Sequence, residues 1–271
     1  MDDLRGRVAV VTGGASGIGL ALARRFAAEG MRLVLADVEA VALDAAATEL
    51  RAAGSDVLTS RTDVSDAAAV EALAAASYER FGAVHVVVNN AGVVTRGAAW
   101  EQSAADWDWV LGVDLLGVVY GVRSFVPRMI AGGEPGHIVN TASIAGLLAM
   151  AGIAPYDVAK AGVVALSECL HHDLRAAGAP IGVSVLCPGR VVSRINDSDR
   201  NRPGATPSAG PPSRTGDPST IIPAEGVADL VVDAVRSGRF WITTHAGYDE
   251  WILRRAQSIV DGDIIGRAPV L

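Results

Sequence analysis

The chain has 271 residues, of which 50% are hydrophobic and 20% charged, with a formal net charge of −7. That length supports one large domain with a sizeable core, the apolar share excludes disorder, and the acidic balance argues against a nucleic-acid partner, which needs a basic footprint. Two cysteines, Cys169 and Cys187, with no CxxC spacing or Cys/His cluster, argue against a disulfide framework or a structural zinc.

The first two-thirds alternates short β-branched runs with longer Ala/Leu-rich ones. Residues 1–5 carry acidic charge where a leader peptide needs basic charge, so a cytoplasmic protein is expected. Strands are expected at 7–12, 32–37, 56–61, 84–90, 137–143 and 181–186. Helices are expected at 17–29, 41–53, 66–81, 103–130 and 155–177. Uninterrupted apolar strands such as 8–11 and 86–88 suit a parallel sheet covered on both faces. Strict alternation of strand and helix then predicts right-handed crossovers and a doubly wound α/β fold, with residues 1–271 in one domain. The longest uncharged stretch, 135–156, is broken by glycines, prolines, Asn140 and Ser143, so no membrane span is expected there. Residues 193–223 are crowded with Pro, Gly, Ser, Asp and Arg, and read as a substrate lid. A helix at 224–237 and a strand at 240–243 bring the chain back to the domain.

Between the first strand and its helix lies Thr12-Gly13-Gly14-Ala15-Ser16-Gly17-Ile18-Gly19. Glycines there allow a tight turn and close approach of a ligand, and the helix N-terminus offers N–H groups and a positive dipole end to a pyrophosphate. Alone, such a turn is also an ordinary strand–helix connection. Asp37 adds to it: this residue ends the second strand, 18 positions after Gly19, where a dinucleotide fold places a carboxylate on the adenosine ribose. A carboxylate accepts the 2′-OH hydrogen and repels a 2′-phosphate. Positions 16 and 38 hold Ser16 and Val38 and no cation, so NAD is favoured over NADP.

Of the 23 basic residues 22 are arginines, and the one lysine is Lys160. It follows Tyr156 by four positions, which puts both on one helix face. A neighbouring ammonium favours a phenolate and lowers its pKa. A Tyr-x-x-x-Lys pair by itself is equally a surface pair; here it follows an Asn-Thr-Ala-Ser strand end and precedes a Pro-Gly strand end, in the region where open α/β sheets bind ligands.

From Gly6 to about Thr243 the chain resembles the classical short-chain dehydrogenase/reductase family. The motifs that carry the resemblance are TGxxxGxG at 12–19, Asn89-Asn90-Ala91-Gly92, Ser143, Tyr156-x-x-x-Lys160, and the run Pro188-Gly189-Arg190-Val191-Val192-Ser193. The resemblance implies a Rossmann-type NAD(P)-binding domain. It implies Tyr156 as general acid/base, Ser143 as the hydrogen-bond donor to the substrate oxygen, and Lys160 on the nicotinamide ribose. It also implies cofactor contacts at Gly13, Ser16, Gly17, Ile18, Gly19, Asp37, Asp63, Val64, Asn90, Ala91, Gly92, Pro188, Gly189, Val191 and Ser193, the last standing where the family usually has threonine. The family's fourth catalytic residue, an asparagine, is replaced here by Asp114.

The expected activity is NAD-dependent interconversion of a secondary alcohol and a ketone. Apolar residues near the site by analogy (Val94, Ile144, Leu147, Met150, Ile153), with Ile195, Ile221 and Ile222 flanking the lid, suggest a bulky hydrophobic substrate. The alternatives are an NADPH-dependent carbonyl reductase and a dinucleotide-binding sensor that has lost catalysis. A homodimer or homotetramer is implied, through the helices holding Asp114 and Tyr156. No metal is expected: His171 and His172 lack companion ligands. Trp100, Trp107 and Trp109 are expected to be packing residues, and Arg190 either meets an anionic substrate or packs on the lid.

Overall fold

The computed structural model describes residues 1, 3–204 and 220–264. Seven parallel strands form one sheet in the order β3-β2-β1-β4-β5-β6-β7. They are β1 (Val8–Thr12), β2 (Arg32–Asp37), β3 (Val57–Arg61), β4 (Val86–Asn89), β5 (Gly136–Thr141), β6 (Ile181–Cys187) and β7 (Trp241–Thr243). The helices are α1 (Gly17–Ala28), α2 (Ala40–Ala52), α3 (Ala67–Phe81), α4 (Ala104–Leu111), α5 (Gly117–Gly132), α6 (Ala154–Ala176), α7 (Ala224–Ser237) and α8 (Asp249–Asp261).

Alternation within β1 shows how the sheet is covered. Ala9 and Val11 join Leu22, Phe26 and Val231 on the face under α1 and α7. Val8 and Val10 join Leu73, Phe125 and Leu170 on the face under α3, α5 and α6. Both faces are dry, which is why the strand is apolar at every position. The strand order reverses between β1 and β4, and the loops leaving the C-terminal strand ends there splay apart to leave a crevice.

The helix expected at 103–130 is interrupted. α4 passes through a π-helical turn at Gly112–Leu116 before continuing as α5. The wider turn carries Asp114, and such turns recur at functional sites. This run, Ala104–Gly132, and not 135–156, has the length and apolarity to cross a membrane; 56% of its most apolar window is buried inside the fold. It is a core helix. α8, which lacks a buried residue, was not expected from the sequence.

Candidate active site

A cavity of about 820 Å³ opens along the C-terminal ends of β1 to β6. Its lining includes Gly13, Ser16, Gly17, Ile18, Asp37, Asp63, Val64, Asn90, Ala91 and Gly92 on one side, and Ser143, Tyr156, Lys160, Pro188, Gly189, Val191 and Ser193 on the other. Of the residues expected to form the site, Gly19 and Asp114 stand behind the wall.

The phosphate loop is shaped by close approach. Gly13 has φ +63°, and a Cβ there would lie 2.9 Å from Ala91 Cα. Gly19 is buried, and a Cβ there would sit 2.0 Å from the Gly13 carbonyl oxygen, so Gly19 permits helix–strand packing and does not line the cavity. Ser16 is the N-cap of α1, yet its hydroxyl makes no capping bond, which leaves the first-turn N–H groups facing the cavity for an anion. Asp37 is buried; its Oδ2 accepts from Ala15 N (3.0 Å) and its Oδ1 from Glu39 N (3.1 Å), which fixes the carboxylate at the end of β2. Thr12 and Asn90 tie β1 to β4: Asn90 N donates to Thr12 Oγ1 (2.9 Å) and Asn90 Nδ2 to the Thr12 carbonyl (3.0 Å). Asp63 accepts from Ser65 N and Oγ, so it shapes the turn before α3 while also lining the cavity; the N-cap itself is Asp66. A glycine cradle, uncapped helix N–H groups and a fixed carboxylate beyond them are the donor and acceptor set of a dinucleotide's pyrophosphate and ribose.

Farther along the cavity, Tyr156 and Lys160 extend from the first turns of α6. Lys160 Nζ donates to the Thr141 carbonyl (3.0 Å), lies 3.2 Å from Asp114 Oδ2, and is 5.4 Å from the Tyr156 ring centre. Asp114 is completely buried, and its Oδ1 accepts from Val93 N (2.8 Å). Gly92 fits against this pair: a Cβ would lie 3.4 Å from Asp114 Oδ2 and 3.6 Å from Lys160 Nζ. Ser143 caps the short turn Ile144–Gly146, accepting from Ala145 N (3.1 Å) and donating to the Pro188 carbonyl (3.4 Å), which holds the ends of β5 and β6 together.

Burial sets the proton affinities here. For Asp114, burial outweighs Lys160 and the Val93 N–H and raises the carboxyl pKa. For Lys160, burial alone would lower the pKa, but Asp114 and Tyr156 outweigh it and the ammonium is held to higher pH. For Tyr156, Lys160 lowers the pKa as expected and Ser143 helps, but burial, reinforced by Asp114 and Asp157, outweighs them and the phenol is raised on balance. The pair of Asp114 and Lys160 therefore presents a weaker net positive field to the phenol than a lone lysine would.

Further corrections concern the walls. Val94, Ile144, Met150 and Ile153 line the cavity as expected, with Ile195 and Ile221 beside them, but Leu147 does not. Leu147 packs behind the site, against the clusters around Val163 and Tyr248, and Ile222 against the α1/α7 face. Trp109 lines the cavity with the Arg202 guanidinium 5.3 Å from its ring centre, so it is a wall residue, while Trp100 is exposed. Arg190 lines the cavity and bonds Thr220. His171 stacks on Phe240, and among the described residues no cluster could hold a metal.

The structure adds three features: a buried carboxylate the sequence reading did not single out, the packing that requires Gly189, and the form of the first part of the expected lid. Asp157 is buried, with Oδ2 accepting from Met150 N (2.7 Å) and Oδ1 without a partner; burial pushes its carboxyl up to about 7. Gly189 is needed because His245 and Tyr248 press on it: a Cβ there would lie 2.6 Å from His245 Nδ1 and 2.7 Å from Tyr248 Cε2. The third is a strap, Ile195–Asn201, lying over the cavity mouth. Ser198 Oγ bonds the Val94 backbone at both N (3.0 Å) and O (3.1 Å), Arg96 reaches Asn196, and Arg202 pairs with Asp106. The remainder of the expected lid, 205–219, lies outside the described residues.

The family model described as short chain dehydrogenase matches residues 7–204. A 1-deoxy-11-beta-hydroxypentalenate dehydrogenase of Streptomyces avermitilis is 40% identical over 245 residues, covering 90% of this chain and 86% of that one. A short chain dehydrogenase/reductase of Burkholderia phymatum, solved in complex with NAD, superposes with a TM-score of 0.92 at 43% identity over 100% of both chains. An actinorhodin polyketide ketoreductase variant solved with NADPH superposes with a TM-score of 0.79 at 31% identity, covering 91% of this chain and 98% of that one.

Proposed function

The chain belongs to the short chain dehydrogenase family of oxidoreductases acting on hydroxyl or keto groups with a nicotinamide dinucleotide, and from that premise we propose that it interconverts a bulky hydrophobic secondary alcohol and its ketone using NAD. The observation that carries the proposal is one cavity joining Gly13, Gly17 and Asp37 at one end to Ser143, Tyr156 and Lys160 at the other. Val94, Met150, Ile153, Trp109 and Ile195 give the substrate end an apolar wall. The Streptomyces relative's name, a dehydrogenase of a hydroxylated carboxylate, supports a hydroxyl-bearing substrate of this kind.

Gly13, Ser16, Gly17 and Ile18 would hold the pyrophosphate, Asp37 the adenosine ribose, Asp63 and Val64 the adenine, and Val191 the nicotinamide carboxamide. NAD bound there would supply the hydride acceptor. In oxidation the Tyr156 phenolate takes the proton of the substrate hydroxyl; in reduction the Tyr156 phenol returns it to the ketone oxygen. Ser143 Oγ donates to the same oxygen and stabilises its developing charge. Lys160 holds a positive charge beside the phenolate, and Asp114 holds Lys160 in place through its carboxylate. Burial makes the Tyr156 phenol give up its proton less readily, so oxidation gains from alkaline conditions. Both Tyr156 and Lys160 are retained, which disfavours the inactive-sensor reading.

The segment 193–223 acts as the substrate lid in this proposal, hinged where Ile222 N donates to the Arg190 carbonyl and Val192 N to the Ile222 carbonyl. A homodimer or homotetramer in the cytoplasm completes it, with Leu116 (41% exposed) and Val158 (50%) on the helices that would meet. The test is a panel of secondary alcohols and ketones assayed with NAD and NADP. Tyr156→Phe should lose at least about a hundredfold in turnover, in the range of general acid–base catalysis, while still binding NAD. Full turnover in Tyr156→Phe would refute the proton-transfer assignment.

A further inference from the structure

Positions 16 and 38 hold no cation, but the fold brings two to the ribose end from far along the chain. Arg194 and Arg200, near the two ends of the strap, line the cavity together with Asp37, Val38 and Glu39. Both are occupied by Glu39. Arg200 Nε and Nη2 donate to Glu39 Oε1 at 2.9 and 2.7 Å, Asn201 Nδ2 donates to the same oxygen at 3.1 Å, and Arg194 Nη1 donates to Oε2 at 3.3 Å. Backbone carbonyls aim the fork: Arg200 Nη1 donates to Arg194 O (2.9 Å) and Asp197 O (2.7 Å). Arg194 Nη2 also meets Asp197 Oδ2 at 3.3 Å. A further arginine, Arg61, reaches the Val38 carbonyl and does not line the cavity.

An arginine fork with an amide beside it binds a phosphate as readily as a carboxylate. Glu39 thus sits in a phosphate's donor set. It is two residues from Asp37, and its own N–H is bonded to the Asp37 carboxylate that would take the ribose. We infer that Glu39 is a specificity-determining residue, an internal carboxylate that fills the Arg194/Arg200/Asn201 donor set and so withholds it from the 2′-phosphate of NADP. Asp37 repels that phosphate directly; Glu39 removes the cations that would otherwise offset the repulsion. Burial alone would raise the Glu39 carboxyl, but Arg200, Asn201 and Arg194 outweigh it and lower its pKa, so Glu39 is ionised in the donor set at physiological pH. The same bonds tie the strap to the residue two beyond the end of β2.

The inference rests on the NAD reading above, and the experiment separates the two. Calorimetric titration of the full-length protein with 5′-AMP and with adenosine 2′,5′-bisphosphate isolates the ribose end from the substrate. The wild type should bind the bisphosphate at least tenfold more weakly than AMP. Glu39→Ala should tighten the bisphosphate at least tenfold and change AMP less than threefold, and Glu39→Gln, which removes charge at constant size, should move the same way by less. Adding Arg200→Gln to Glu39→Ala should abolish the gain. Equal wild-type binding of the two probes would overturn the NAD reading itself. Wild-type discrimination without a gain in either Glu39 variant would overturn this inference alone. So would equal weakening of both probes, the mark of a strap anchor only, or a gain that survives loss of Arg200.

Discussion

Asp114→Asn isolates what the departure from the family's asparagine does. Asn Oδ1 keeps the bond from Val93 N, so the π-helical turn is retained. The change removes a carboxylate 3.2 Å from Lys160 Nζ, an attraction of about 5 kcal/mol at an effective dielectric near 20. Part of that is offset, because the aspartate no longer has to be ionised out of water, while Lys160 stays a buried charge held by the Thr141 carbonyl. Two shifts follow. Lys160 loses the group that most raises its pKa, so its pKa falls. Tyr156 loses a raising influence while the ammonium remains, so its pKa also falls and the alkaline optimum for alcohol oxidation moves down. The maximal rate should change by less than roughly tenfold, about 1.4 kcal/mol. The composition offers a direct assay. With Lys160 the only lysine in the chain, lysine labelled with nitrogen-15 at Nζ gives a single side-chain signal whose titration reads this site. Its midpoint should drop in Asp114→Asn, alongside the optimum of the pH–rate profile. An unmoved or higher midpoint would refute the electrostatic account, and superimposable rate profiles would show Asp114 to be electrically silent.

Asp37→Ala should weaken NAD binding and relax discrimination against NADP; a wild type turning over NADP as efficiently as NAD would contradict the role given to this carboxylate. Asp157 has a folded-state pKa of about 7, above the unfolded value near 3.9, so its ionisation costs stability that is absent at low pH and full above about pH 7. Asp157→Asn, which can still accept from Met150 N, should therefore stabilise the protein by about 2 kcal/mol near pH 8 (half the nominal value, allowing for solvent screening) and by much less near pH 5. Urea midpoints at the two pH values check this, and equal gains at both would rule out the ionisation. Arg202→Ala removes the pair to Asp106 and the stack on Trp109, and should raise the substrate KM several-fold with cofactor binding unchanged; trypsin should then cut faster near Arg200.

The sheet was legible because parallel strands buried on both faces are marked twice, by β-branched runs and by the helical runs between them. Boundaries differ by a residue or two, at strand and helix ends alike. The π-helical turn at Gly112–Leu116 was not legible, since an added residue per turn leaves the apolar pattern of 103–130 almost intact over so short a span. α8 was missed for a different reason. Its sequence is amphipathic, but its apolar side is only partly buried: Trp251 and Ile252 pack on Ile144, Leu148 and Tyr248, and Arg255 donates to the Leu147 carbonyl.

The site divides along the same line. Residues fixed by local sequence, the glycine turn, Asp37, Ser143 and the Tyr156/Lys160 spacing, stand along the cavity where the motifs imply. Residues whose role depends on a distant partner did not announce themselves. Nothing near Asp157 in sequence shows that its carboxylate is sealed under the Met150 loop. Lys160 does pull the Tyr156 pKa down as its spacing implies, but spacing reports which charges are near and not how much water has been removed, and burial is the larger influence. The same reasoning applies to cofactor choice. Checking positions 16 and 38 for cations examines only neighbours in sequence, whereas Arg194 and Arg200 reach Glu39 across 155 and 161 positions. A charge that arrives on a strap from the far side of the sheet alters the ribose end as effectively as one built into the loop.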